Sequence, residues 1–136
     1  MLLLRRQPPT PGYSEPVYFI PGGKRDPADL TPLSTAVREN LEEVNLSIRP
    51  TRYTLAQTLT GNQLSARWAL HDYAVVVTPA EAAALTNREP DKHPEMIWKS
   101  VSAIRTLPVA QQFDRLAERC DHALTRINWI LKTHDA

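Results

Sequence analysis

The sequence has very little cysteine and no long apolar run. Its single cysteine, Cys120, has no partner within the chain, so an internal disulfide framework and the Cys-rich zinc patterns are both excluded. The apolar opening Met1-Leu2-Leu3-Leu4 ends at Arg5 and Arg6, which makes it far too short for a signal peptide or a membrane span. A soluble protein of the reducing cytoplasm, with no membrane partner, is therefore expected.

An excess of charge of either sign is also missing. The formal net charge is +1, and Lys and Arg are scattered among Asp and Glu, so no basic stripe indicates a surface for long nucleic acid. Any nucleotide partner is expected to be a small molecule. With 136 residues, 42% of them hydrophobic, the chain has the size of one globular domain, and we expect a single domain over residues 1–136.

Short β-prone runs and helical patterns alternate irregularly along the chain. The runs predict strands at residues 2–6, 17–20, 52–60, 65–78 and 95–101, with a hairpin turn at Gly61-Asn62-Gln63. Alanine-rich residues 79–85 predict a short helix, and residues 87–94 predict a loop. Residues 109–132 predict a long C-terminal helix, whose buried side would comprise Phe113, Leu116, Cys120, Leu124, Ile127 and Leu131. This mixture, without strict βαβ alternation, indicates the α+β class.

The strongest helical pattern lies in the first third of the chain. Thr31-Pro32 supplies an N-cap followed by proline at the first helical position, and Asn45 is a plausible left-handed stop. The apolar positions that would face the core are Leu33, Val37, Leu41 and Val44. The predicted helix is therefore amphipathic, with its acidic residues away from the core.

Three glutamates of this helix form the main candidate site. Glu39, Glu42 and Glu43 stand at i, i+3 and i+4, so a helix places their carboxylates within one arc. Carboxylate oxygens are the ligands that Mg²⁺ and Mn²⁺ prefer, and these cations in turn bind diphosphate oxygens. Acidic triplets on exposed helix faces are also common as merely solvated groups, so both interpretations of the triplet alone stay open.

The loop before the helix supplies a second candidate. Gly22 and Gly23 allow a substrate or a metal to approach the backbone closely, and Lys24 beside them is suited to pairing with phosphate. A Pro-Gly-Gly turn by itself is usually only a turn. The combination of this loop with the acidic helix is what indicates a site for a metal and a diphosphate.

Taken together, Pro21-Gly22-Gly23-Lys24 and Arg38-Glu39-Asn40-Leu41-Glu42-Glu43-Val44-Asn45-Leu46 resemble the Nudix box. That box runs as Gly, five residues, Glu, seven residues, Arg-Glu-hydrophobic-x-Glu-Glu-x-Gly-hydrophobic. The flanks are similar too. Residues 2–6 resemble the arginine-ending strand before the box, and Glu89-Pro90-Asp91-Lys92-His93 with Trp98 resembles a later segment of members that cleave nucleoside triphosphates.

The resemblance implies the Nudix fold, a mixed β-sheet sandwiched between α-helices, here with a shortened N-terminus. It also implies hydrolysis of a nucleoside diphosphate linkage with Mg²⁺ or Mn²⁺ as cofactor. By this resemblance Glu39, Glu42 and Glu43 would hold the cation, with Gly23 as a further metal contact. Arg38 would brace the acidic helix through an ion pair, and Lys24 would face phosphate.

The sequence departs from the family pattern at four points. The spacing from Gly23 to Arg38 is one residue longer, so Leu30 stands where the upstream glutamate belongs, and Asp29 could replace it only if the loop bulges. Asn45 replaces the terminal glycine and Asn40 replaces a hydrophobic residue.

The fourth departure is at the start of the chain, where family members usually have an extra strand or hairpin ahead of the arginine-ending strand. An open sheet edge would result, and we expect either a homodimer that covers it or a rearranged N-terminal segment. A monomer whose proline-rich loop or C-terminal helix covers the edge is the alternative.

Several residues outside the box are further candidates. Arg5 or Arg6 could reach substrate phosphates or a base. Phe19 is expected to stack on a base. Tyr18 is the alternative, because neighbouring side chains of a strand point to opposite faces and only one of the two can face the substrate. A later carboxylate, Glu95 or else Glu89, could act as general base or metal ligand. His71 and His93 have no ligand-like spacing to a second His or Cys, so ordinary polar roles are expected for them.

The leading hypothesis is a (d)NTP pyrophosphatase that releases a nucleoside monophosphate and pyrophosphate in a house-cleaning role. Alternative substrates are ADP-ribose or another nucleotide sugar, dinucleoside polyphosphates and coenzyme A. A non-catalytic Nudix-like module that only binds a nucleotide is the alternative of a different class.

Overall fold

The structure is a computed structural model that describes residues 1–8, 10–63 and 66–134. Its strands are β1 (Leu2–Arg6), β2 (Val17–Phe19), β3 (Thr54–Gln63), β4 (Ala66–Ala74) and β5 (Glu95–Trp98). Its α-helices are α1 (Pro32–Val44), α2 (Pro79–Ala83), α3 (Val101–Arg105) and α4 (Leu116–His134). Short 3₁₀ turns lie at Pro50–Arg52 and Val109–Gln111. None of the described helices is long and apolar enough to cross a membrane.

Strand β1 is the centre of the first sheet, whose order is β2-β1-β5. Leu3 and Leu4 are both fully buried, and because neighbouring strand residues point to opposite faces, each anchors a different core. Leu4 packs with the Val44 end of α1, whereas Leu3 packs with Ile104 of α3 and Leu116 of α4. The sheet is thus covered by helices on both faces, and its outer strands are β2 and β5 rather than the N-terminal strand.

The α+β class is confirmed, although the sheets differ from the mixed sheet that was expected. Strand β1 pairs antiparallel with β2 and with β5, and β3 pairs antiparallel with β4 in a second, two-stranded sheet. Parallel pairing among the described residues occurs at an isolated bridge between Tyr18 and Gln112.

Helix α1 has the bounds and caps predicted from the sequence. The Thr31 hydroxyl accepts a hydrogen bond from the Ser34 N–H at 3.1 Å, and Asn45 ends the helix in the left-handed region at φ 60°. Leu33 and Val37 pack against the core, but Leu41, predicted on the buried face, is 41% exposed. The core therefore contacts the helix at Leu33, Val37 and Val44 but not at Leu41.

Two boundaries predicted from the sequence are wrong. Gly61, Asn62 and Gln63 are paired residues of β3, opposite residues 66–68, so they do not form the predicted hairpin turn. The C-terminal helix does not begin at Val109 but at Leu116, because Asp114 and Arg115 adopt φ of 42° and 59°, which no α-helix continues.

The burial predicted for the C-terminal segment holds only in part. Leu116 and Cys120 are in the core as predicted, whereas Phe113 and Leu131 are 36% and 50% exposed. Residues 99–101 leave the predicted strand because the Ser100 hydroxyl caps α3, a short helix that the sequence analysis did not predict.

Candidate functional site

A cleft of about 890 Å³ lies between α1, the loop before it, β4 and the 89–93 loop. Glu39 and Glu43 line it from α1, Gly22 and Gly23 from the loop before α1, and His93 from the 89–93 loop. Aromatic side chains such as Phe19 and Phe113 and basic ones such as Arg6 and Lys24 also line it. The part of the cleft at Glu39, Glu43 and His93 is its acidic end, and it lies next to aromatic side chains, since the Phe19 and His93 rings are 6.0 Å apart.

The acidic residues of α1 differ sharply in their surroundings. Glu39 and Glu43 line the cleft. Glu42 points to one side of them because of the helical repeat, and 53% of its side chain is exposed. Glu43 is 4% exposed, and its Oε1 accepts a hydrogen bond from the backbone N–H of Gly22 at 2.9 Å. Burial raises the pKa of Glu43 to about 8, with the Gly22 N–H opposing this effect and the Glu39 carboxylate adding to it.

Arg38 organises the acidic residues from behind the cleft. Its Nη1 donates to Oε1 of Glu39 at 3.0 Å and to Oε2 of Glu42 at 3.1 Å, and its Nη2 donates to the carbonyl oxygen of Lys24 at 3.0 Å. The remaining donors bind Asp29, with Nε to Oδ1 at 3.0 Å and Nη2 to Oδ2 at 2.9 Å. One guanidinium therefore joins the loop to the acidic helix.

Asp29, not Leu30, is the acidic partner of Arg38. Asp29 is 5% exposed and also accepts a hydrogen bond from the Thr35 hydroxyl at 2.9 Å, whereas Leu30 is 86% exposed. The Arg38 guanidinium holds the pKa of the Asp29 carboxyl well below its usual range. Counted forward from Gly23, five residues precede Asp29, so the extra residue of the box lies between Asp29 and Arg38.

Gly23 lies directly against the Glu39 carboxylate. A Cβ atom built on Gly23 would come within 2.4 Å of Oε1 and 2.6 Å of Cδ of Glu39, whereas one on Gly22 would meet nothing within 4 Å. The Glu39 carboxylate occupies the space that any other residue at position 23 would fill. Glycine at this position therefore allows the loop and the acidic helix to come together.

The structure divides the predicted substrate residues between two places. Arg6, Phe19 and Lys24 line the cleft, and the Arg6 guanidinium lies over the Phe19 ring at 5.7 Å. Arg5 and Glu95 do not line it; they face each other in the register of β1 with β5 and form an ion pair at 3.1 Å. Strand alternation separates Arg5 from Arg6, a distinction that the sequence analysis did not make.

Sequence reasoning gave His93 no part in the site, yet it lies beside Glu43. His93 is 2% exposed, and its Nε2 is 3.5 Å from Oε2 of Glu43. Its backbone N–H donates to the carbonyl oxygen of Glu89 at 3.1 Å, which closes one helical turn and places Glu89 on the same side. The i, i+4 spacing of these residues was the signal available in the sequence. Burial lowers the pKa of His93.

The floor of the cleft contains a buried ion pair that sequence analysis also missed. Arg119 of α4 donates to Asp72 of β4 through Nε at 2.9 Å and Nη2 at 2.7 Å, and Gln57 donates to the same carboxylate at 3.0 Å. These residues are too far apart in sequence for any local pattern to join them. The pair attaches the C-terminal helix to the β3–β4 hairpin.

The donor set at the acidic end fits Mg²⁺ or Mn²⁺. Glu39, Glu42 and Glu43 offer hard carboxylate oxygens, and Glu43 and Glu89 with His93 present ligand atoms within 4.8 Å of one another. A divalent cation would also offset the repulsion between carboxylates that burial strengthens. The family model of the NUDIX domain matches residues 1–120 of the chain. No curated protein matches it.

Proposed function

The chain belongs to the Nudix family and is a hydrolase acting on pyrophosphate bonds of nucleoside diphosphate-linked substrates, and from this membership we propose that its substrate is a nucleoside triphosphate. Water would attack either the α- or the β-phosphorus, and the bond from that phosphorus to the oxygen bridging the two would break. Both routes release a nucleoside monophosphate, pyrophosphate and a proton. The observation that carries the proposal is one cleft that combines the buried Glu43, the partly buried Glu39, a glycine loop and aromatic side chains.

The acidic end of the cleft would hold the cation. Glu39 and Glu43 would bind it directly, and Glu42 would complete the carboxylate set from the rim, with Arg38 positioning the side chains. When bound, Mg²⁺ or Mn²⁺ lowers the pKa of a water molecule and neutralises charge that develops on the phosphate oxygens. The Gly23 backbone would lie next to this cation.

The rest of the cleft would position the triphosphate and the base. Lys24 and Arg6 carry positive charges suited to phosphate oxygens, and Lys24 is exposed at the mouth. Phe19 and Phe113, whose ring centroids are 6.5 Å apart, offer aromatic faces and edges for a base. A house-cleaning role in the cytoplasm fits this small-molecule site and stays a prediction, as does the homodimer.

The test is chromatography of the nucleotide products together with an assay of pyrophosphate, with Mg²⁺ and with EDTA, for a panel of dNTPs, NTPs, ADP-ribose, sugar nucleotides, dinucleoside polyphosphates and coenzyme A. We expect metal-dependent pyrophosphate release from nucleoside triphosphates and at least a hundredfold loss, roughly, in Glu43→Gln. Glu118→Gln, on the exposed side of α4, is the matched control. Cleavage confined to ADP-ribose or another diphosphate would overturn the proposed substrate.

A further inference from the structure

Hydrogen bonds of the Asn87 side chain determine which nitrogen of His93 carries the proton. Asn87 Nδ2 donates to the carbonyl oxygen of His93 at 2.7 Å, so Oδ1 faces the Glu89 N–H at 3.3 Å and Nδ1 of His93 at 3.0 Å. Because an amide oxygen only accepts hydrogen bonds, Nδ1 of His93 is the donor. In a neutral imidazole the other nitrogen, Nε2, then carries no proton and has a free lone pair.

This lone pair is directed into the acidic end of the cleft. Nε2 lies 3.5 Å from Oε2 of Glu43 and has no hydrogen-bond partner among the residues that the structure describes. His93 is 2% exposed, so bulk water does not solvate the nitrogen. Two acceptors that face each other in a buried place repel, and a buried acceptor without a partner costs free energy. A cation or a proton between them removes both costs.

Glu89 supplies a third ligand at the same place. Its turn places it beside His93, and Lys92 binds Oε2 of Glu89 at 2.8 Å from the exposed side. The ligand atoms of Glu43, Glu89 and His93 lie within 4.8 Å of one another. Ligand atoms bonded at about 2.0–2.2 Å to one divalent cation lie roughly 3–4 Å apart, so the 3.5 Å between His93 Nε2 and Glu43 Oε2 already suits one ion, and small side-chain movements would bring in Glu89.

We propose that Glu43, Glu89 and His93 form a metal position with one nitrogen ligand, which binds a divalent transition metal such as Mn²⁺ in preference to Mg²⁺. Imidazole nitrogen binds transition metals more strongly than it binds Mg²⁺, whose preferred ligands are oxygen atoms. The Asn87–Nδ1 hydrogen bond is the outer-shell contact that orients a metal-binding imidazole. This inference rests on the proposed function, because Glu43 is shared between this position and the carboxylate set.

The first test is pulsed EPR of the full chain loaded with Mn²⁺, without substrate. We expect electron spin echo modulation from one coordinated ¹⁴N, replaced by a ¹⁵N pattern when the protein is made with ¹⁵N-histidine. Bound Mn²⁺ without any nitrogen coupling would overturn the inference and indicate that a proton lies between Glu43 and His93. In that case metal-dependent turnover would still support the proposed function.

The second test compares His93→Gln with His122→Gln, a histidine on the exposed side of α4. We expect His93→Gln to weaken Mn²⁺ binding by at least about tenfold and Mg²⁺ binding by much less, and to abolish the nitrogen coupling. His122→Gln should change none of these. Equal losses for the two metals would overturn the inference. If His93→Gln fails to fold, the EPR spectrum of the wild-type protein decides whether His93 coordinates the metal. Absence of any Mn²⁺ binding to the wild-type protein would overturn both proposals.

Discussion

The space that a side chain at position 23 would need is occupied by the Glu39 carboxylate. A Cβ on Gly23 would lie 2.4 Å from Oε1 of Glu39, well inside van der Waals contact. Arg38 holds that oxygen at 3.0 Å, so the carboxylate cannot move aside without losing its ion pair.

Gly23→Ala is therefore expected to lower kcat by about tenfold or more while the protein stays folded, because it moves a proposed metal ligand. Gly22→Ala is the control, since it keeps the N–H that binds Glu43 and meets no atom within 4 Å. Steady-state kinetics and circular dichroism of both variants provide the measurement. Equal effects of the two substitutions would contradict the role of the Gly23–Glu39 contact.

Asp29 is expected to take the role of the upstream glutamate of the Nudix box by pairing with Arg38, and Leu30 is expected to have no part in the site. Asp29→Asn removes the charge that faces Arg38, so activity should fall by about 10- to 100-fold, as for other groups that position metal ligands. Adding Leu30→Glu to Asp29→Asn should restore nothing, because residue 30 is 86% exposed. Recovery of activity in the double variant would show that residue 30 reaches Arg38.

Stability of the metal-free protein should carry a pH dependence from Glu43. Burial raises its pKa from 4.5 to about 8, so between these values the folded state retains a proton that the unfolded chain has released. The contribution of Glu43 to the free energy of unfolding is thus present below pH 4.5 and is lost as the pH rises to about 8. The lowered pKa of His93 acts in the opposite direction near pH 6.5.

Comparison with Glu43→Gln separates these two effects. Denaturant unfolding in EDTA at pH 5 to 8 should show wild type losing stability relative to the variant as the pH rises. Saturating Mg²⁺ should reverse the trend, because the cation replaces the proton. Parallel stability curves for wild type and variant in EDTA would argue against a protonated Glu43.

The buried Arg119–Asp72 pair should make a large difference to stability. Asp72→Asn leaves the guanidinium buried with a neutral partner, and removal of one member of such a pair costs about 3–5 kcal/mol. Asp121→Asn is the control, because Asp121 pairs with Arg105 on the surface, where the contribution is much smaller. Urea unfolding of both variants tests this, and similar losses would mean that the cleft floor is solvated.

Cys120 should react slowly in the native state. It is 2% exposed, and burial raises the pKa of its thiol to about 11. Reaction with a thiol reagent at pH 8 should be at least a hundredfold slower, roughly, than in guanidinium chloride, because only the thiolate reacts. A Cys120→Ala, Thr125→Cys variant places the thiol at an exposed position of the same helix and should react quickly. Rapid modification of native wild type would indicate local opening of α4.

The sequence by itself determined the helix of the box and the family of the protein. Thr31, Pro32 and Asn45 act through contacts within a few residues, so their capping roles can be predicted from local rules. The spacing of Glu39 and Glu43 likewise places both on one face of any α-helix, whatever surrounds it.

Only the tertiary structure decided which side chains reach the cleft and what each one contacts. Strand register separates Arg5 from Arg6. The folding of the loop before α1 brings Asp29 rather than Leu30 to Arg38, and the 89–93 loop places His93 beside Glu43. The pairing of Arg119 with Asp72 joins residues 47 apart. Burial and long-range packing set these relationships, and neither leaves a periodic signal in a single sequence.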